Sequence, residues 1–122
     1  MPNPVVHFEI LGKDMAALTD FYRQVFDWEI QPIQTDYSLA HPGDGGISGG
    51  IGAMGPAREH VTFYIAVKDL SAALTTITKK GGQIAFGPHT IPDGGRIAGF
   101  LDPEGHLIGL IEPAVDNSKP GA

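Results

Sequence analysis

The segment Val6-His7-Phe8-Glu9-Ile10, followed by Asp14, returns as Val61-Thr62-Phe63-Tyr64-Ile65, followed by Asp69. The offset is a constant 55 residues. Both copies read as an alternating strand, a Lys-Asp step and a helix. A repeat of this length means two similar supersecondary units in one chain. The 122 residues fit a single domain, with module one at about 4–54, module two at about 60–113 and a small, polar tail at 114–122.

Each copy predicts the same order. In the first, Val6, Phe8 and Ile10 point to one side of a strand and His7 and Glu9 to the other. Asp14 is placed to cap a helix with the stripe Met15, Leu18, Phe21, Tyr22 and Val25. Strands follow at Trp28–Ile33, Asp36–Ala40 and the glycine-laden Ile47–Met54, where glycine implies a bulge or a close backbone approach. Pro32 suits an edge strand. Gly55 to Glu59 links the halves. In the second copy Val61, Phe63, Ile65 and Val67 form the apolar set, and His60, Thr62, Tyr64 and Ala66 the other. Asp69 caps a helix carrying Leu70, Ala73, Leu74 and Ile77, and Gly81-Gly82 ends it. Strands follow at Gln83–Ile91, Arg96–Leu101 and His106–Ile111. Each half is therefore strand, helix, three strands. The class is α+β: two βαβββ modules forming a half-open mixed β-barrel, whose concave inner surface is the natural ligand site.

Composition narrows the function. Net charge is −6 with no Lys/Arg run, which argues against nucleic acid and anionic membrane as partners. The chain has no cysteine, hence no disulfide framework and no thiolate chemistry. Its first residues lack the basic and apolar regions of a signal peptide, and no stretch approaches the ~20 apolar residues of a membrane span. The expected location is the cytoplasm.

Three stretches carry a resemblance. His7-Phe8-Glu9-Ile10 runs through Asp14 to Phe21-Tyr22 and Val25-Phe26-Asp27-Trp28. Val67-Lys68-Asp69-Leu70 is followed by Gly81-Gly82. Phe100-Leu101-Asp102-Pro103-Glu104-Gly105-His106 forms a turn before the last strand. In this order they resemble the glyoxalase / bleomycin-resistance / extradiol-dioxygenase superfamily, the vicinal oxygen chelate fold, over roughly residues 4–113. Gly45 to Ile51 further resembles a subgroup of small glyoxalase-like members. The resemblance implies a homodimer and a small-molecule ligand.

In enzymes of that family the resemblance implies one divalent metal, held by His or Glu on the first and last strand of each module. Open coordination positions would take a substrate's two adjacent oxygens. Here His7 occupies the first ligand position. Its repeat partner is Thr62, the last-strand position is Gly109, and the last strand of module one offers only Gly, Ser, Ile, Ala and Met. His60 faces the same way as Thr62 but lies about 6.6 Å away along the strand. His7 is thus the only matching family ligand, and no cofactor is expected; a divalent metal at a shifted site is the alternative.

The candidate ligand-binding residues are His7, Glu9, His60, Thr62, Tyr64 and Trp28, with His7 and Glu9 the candidate catalytic pair. Each has a plainer reading. His7 and Glu9 also suit hydrogen-bonded or solvated inner-face groups, and His60 an exposed strand start. Tyr64 and Trp28 also suit core packing. His41, His89 and His106 read as surface groups and Arg96 as a surface salt bridge, while Glu112 should face away from Gly109's side. The first function reading is a metal-independent protein of the bleomycin-resistance kind, holding an aromatic or amphipathic ligand. The alternative is a metal-dependent lyase, lactoylglutathione lyase-like, or a dioxygenase using His7 with other partners. A metal-free acid–base enzyme using His7 and Glu9 is the third. Whether the chain is an enzyme stays open at this level, because fold alone does not fix activity.

Overall fold

The computed structural model describes residues 2–53 and 60–114. The Gly55–Glu59 linker, Met54 and the tail from Val115 lie outside the described residues. The chain divides into two compact units, Val5–Phe63 and Met1–Pro4 with Tyr64–Ala122. Each is built on the expected order.

The first unit contains β1 (Val5–Gly12), α1 (Met15–Phe26), β2 (Glu29–Gln34), β3 (Tyr37–His41) and β4 (Gly49–Ala53), with the start of β5 (His60–Ala66). Its strands run in the order β2-β3-β4-β1. β1 pairs with β4 in parallel, Phe8 beside Gly49 and Glu9 beside Gly50. β3 pairs antiparallel with β2 and β4. β2 is last in the order, and its register slips between Pro32 and Gln34, as suits a proline without an amide hydrogen to share. α1 starts at Asp14, whose carboxylate accepts from the Ala17 amide at 3.0 Å. Ile30, Ala40 and Ile51 are buried, and Phe8, Ile10, Met15, Leu18, Tyr22 and Trp28 pack on them.

The second unit contains the end of β5, α2 (Leu70–Lys79), β6 (Gln83–Thr90), β7 (Arg96–Leu101) and β8 (Leu107–Glu112). Its strand order is β5-β8-β7-β6, with β5 and β8 parallel. Asp69 caps α2 as Asp14 caps α1, accepting from Ala72 at 3.0 Å. Val67, Leu70, Leu74, Ala98 and Leu110 form the core, joined by Ile65, Ala73, Ile77 and Phe100. The α+β class and the duplicated βαβββ order are therefore those expected.

Two details differ from the sequence reading. On α1 the core-facing stripe is the half-buried Met15, Leu18 and Tyr22, spaced i, i+3, i+7, with the buried Thr19 beside them. Phe21 and Val25 lie more than half exposed: Phe21 falls about 60° outside Leu18 on the helix wheel, and Val25, on the Leu18 line, sits in the last turn of α1. On β5 the expected apolar set is inverted at its start. Val61 is 74% exposed and Phe63 is exposed too, whereas Thr62 is 7% exposed. Among the described residues the second core takes Ile65 and Val67 and neither Val61 nor Phe63. Alternation identifies two faces; it does not say which one is covered.

Candidate functional site

β1 alternates between two environments. Phe8 and Ile10 enter the core beneath α1, which leaves His7 and Glu9 on the opposite face. Tyr37, the first residue of β3, reaches over the same face. Its hydroxyl donates to Glu9 Oε2 at 3.0 Å and lies 3.0 Å from His7 Nε2. A phenol has one hydrogen, and Glu9 receives it, so the phenol oxygen accepts from Nε2–H of His7. His60, at the start of β5, places Nε2 3.5 Å from Glu9 Oε1, an ion pair when the imidazole is protonated. The result is a connected polar chain, His7 to Tyr37 to Glu9 to His60, built entirely within the first unit. Its carboxylate side chain is 12% exposed and the His60 side chain 24%.

Burial favours the neutral form of His7. Desolvation pushes the His7 imidazole below its usual value, and the nearby Glu9 carboxylate only partly opposes it. A neutral His7 agrees with the hydrogen-bond order, in which one ring nitrogen donates and the other is an acceptor by nature.

Gly50 makes the Tyr37 position available. It pairs with Glu9 on one side and Leu39 on the other. A Cβ at this residue would collide with the Tyr37 hydroxyl and ring. Only glycine lets the phenol lie flat against the strand. The second unit repeats the device: the Tyr64 ring lies over Gly109, its register partner.

The other sequence candidates fall elsewhere. Thr62 is buried, with its hydroxyl donating to the Phe63 carbonyl at 3.4 Å. Tyr64 belongs to the second unit and is buried against Gly109. Trp28 stacks on Tyr22 with centroids 5.2 Å apart and an 11° tilt, and meets Phe8 at 5.3 Å. It stands on the Phe8 side of β1, away from His7, as an aromatic core residue. His106 pairs with Asp102 in its turn. Arg96 and Glu112 form a salt bridge at 3.1 Å. The second Glu112 oxygen accepts from the Leu70 amide at 2.8 Å, which puts that carboxylate on the helix side. Tyr37 is the residue that sequence reasoning missed. The signal was present in the glycine run Gly49-Gly50-Ile51-Gly52, which asks what approaches so closely, and in the tyrosine of the preceding strand.

The residues do not fit the metal set implied by the fold. His7 is a ligand type, but Gly50 and Gly109 offer no side chain and each lies beneath a tyrosine ring. Thr62 uses its hydroxyl on backbone. Among the described residues no group of three or more His, Asp or Glu is placed to hold a metal ion.

A profile of the Glyoxalase/Bleomycin resistance protein/Dioxygenase superfamily matches residues 5–110. The chain belongs to this superfamily. A glyoxylase-like domain-containing protein of Didymella fabae is 31% identical over 100 residues, covering 69% of this chain and 77% of that one. The anthracycline biosynthesis protein DauV of Streptomyces sp. (strain C5) is 26% identical over a 151-residue alignment, with 99% of this chain covered and 53% of DauV. The chain thus spans about half of the Streptomyces relative, and it spans 31% of mycobacterial relatives matched over 80 residues. Among solved structures, methylmalonyl-CoA epimerase from Mycobacterium tuberculosis superposes with a TM-score of 0.70 at 16% identity, covering 91% of this chain and 88% of that one. At that identity the likeness shows the fold alone. No helix among the described residues is long and apolar enough to cross a membrane.

Proposed function

We propose that this glyoxalase-superfamily chain binds a small organic molecule against the His7–Tyr37–Glu9–His60 face, without a metal ion. The observation that carries the reading is the Tyr37 hydroxyl, which is hydrogen-bonded to both His7 and Glu9 at 3.0 Å. The two metal-capable side chains of β1 are committed to a phenol rather than arranged around an open coordination position. A partly buried carboxylate and imidazole, held by neighbours, form a rigid polar anchor for a ligand's hydroxyl, amine or carbonyl. Aromatic or amphipathic ligands suit such a face, and the Streptomyces relative named for anthracycline biosynthesis makes an anthracycline the first probe. A cytoplasmic location and a homodimer belong to the same proposal. The exposed Phe21, Val25 and Val61 are apolar surface that a second copy would cover.

The test is thermal unfolding in EDTA across aromatic and amphipathic ligands, beginning with an anthracycline. A ligand that binds only the folded state raises Tm with its concentration. The expected result is such a rise in EDTA, reduced in His7→Ala. A rise that appears only when divalent metal is added contradicts the proposal.

A further inference from the structure

The second unit holds a cavity that plays no part in the site described above. Its volume is about 580 Å³, and it opens to solvent. Pro2 and Pro4 contribute one wall, and Pro113 and Ala114, just after β8, contribute another. Ala66 and Val67, at the end of β5, tie the two together. The Ala66 amide donates to the Pro4 carbonyl at 2.9 Å, and the Val67 amide to the Ile111 carbonyl at 2.9 Å. The three prolines fix their φ angles and carry no amide hydrogen, so the lining is stiff and poor in donors. Apolar walls, a few polar groups and a volume of this size are the ordinary features of a small-molecule site.

Two charged residues line this cavity, Lys68 and Glu112. The Glu112 charge is compensated. Its oxygens accept from the Arg96 guanidinium at 3.1 and 3.2 Å, and from the Leu70 amide at 2.8 Å. Asp69, next to Lys68, turns its carboxylate to the Ala72 amide as the cap of α2. Lys68 has no ion-pair partner among the described residues. The lining therefore carries one uncompensated positive charge, in a chain whose net charge is −6. A lysine stem packs along apolar surface while its ammonium stays at the wet edge. We infer that this cavity binds a small carboxylic acid, with its apolar body against the proline-lined walls and its carboxylate on the Lys68 ammonium. A basic ligand of the same shape is repelled there. This is a second site, separate from the His7–Tyr37–Glu9–His60 face, which belongs to the first unit.

The experiment is isothermal titration of octanoate into the full chain, with octylamine as the probe of opposite charge, in wild type, Lys68→Met and Lys68→Arg. Circular dichroism establishes that each variant is folded, and the octylamine comparison needs only the wild-type protein. Amide shifts in two-dimensional NMR report where octanoate binds. The expected result is one octanoate per chain, with the Ala66, Val67 and Ala114 amides shifted. Lys68→Met keeps the apolar stem and removes the charge, and should bind octanoate at least about fivefold more weakly. Lys68→Arg should stay within about twofold of wild type. Octylamine should bind wild type at least about fivefold more weakly than octanoate. No octanoate binding, equal binding by Lys68→Met, or octylamine binding as tight as octanoate overturns this inference alone. Shifts confined to His7, Glu9 and Tyr37 also overturn it, and put the acid on the first-unit face, in keeping with the metal-independent reading.

Discussion

The Tyr37 ring rests on the bare backbone of Gly50, in the strand position beside Glu9. Gly50→Ala drives a methyl group into the phenol, which must swing away from His7 and Glu9. Losing those two part-buried hydrogen bonds, with some overpacking, predicts a destabilisation of about 1–3 kcal/mol. Urea unfolding of Gly50→Ala against wild type measures it. Tyr37→Phe keeps the ring and removes the hydroxyl, so it should show a smaller loss, of about 1–2 kcal/mol.

His7 should titrate below the ordinary imidazole value of about 6.5, because burial disfavours its charged form. The unfolded chain then binds the proton more readily than the folded one. This contribution to stability is present above about pH 6.5 and is lost as pH falls through the lower, folded value. Proton NMR of the His7 ring reads the shift directly. Tm measured between pH 8 and 5 should fall less steeply in His7→Ala than in wild type; equal slopes would show that His7 does not carry the effect.

The Glu112 carboxyl is held below the usual carboxylate range by the Arg96 guanidinium, and further by the Leu70 amide. Its stabilising effect is present above the ordinary carboxylate value and disappears as pH falls through the depressed one. Glu112→Gln should lower stability at neutral pH and flatten the acid limb of the stability curve. Acid unfolding followed by circular dichroism compares the two proteins.

Asp27 ends α1 with φ 60° and ψ 30°, the left-handed conformation that costs an L-residue and suits glycine. It also puts a carboxylate at the negative end of the helix dipole. Asp27→Gly should therefore stabilise the protein by about 0.5–1 kcal/mol, read as a higher Tm. A lower Tm would mean that the Asp27 side chain makes a contribution larger than the backbone strain.

What the sequence made legible was local. Asp14 and Asp69 announce their helices because an N-cap acts within three residues, and both accept the bonds expected of them. Alternation along β1 separated His7 and Glu9 from Phe8 and Ile10 because side-chain direction in a strand has a period of two. The Tyr37 contact was not legible because it depends on how β3 registers against β4 and on a glycine thirteen residues away. The contacts of Trp28 with Tyr22 and Phe8 were not legible either, because they are set by packing beneath α1, which no spacing rule specifies. Val61 and Thr62 show the same gap: alternation separates two faces without saying which is buried.

The most direct measurement is the metal content of the purified wild-type protein by elemental mass spectrometry, paired with its Tm in the presence and absence of EDTA. If the Tyr37 phenol fills the place of a metal, nickel, zinc, manganese and iron will each be far below one per chain, and EDTA will leave Tm unchanged. One such ion per chain, with a Tm that EDTA lowers and a loss of the ion in His7→Ala, would contradict the account.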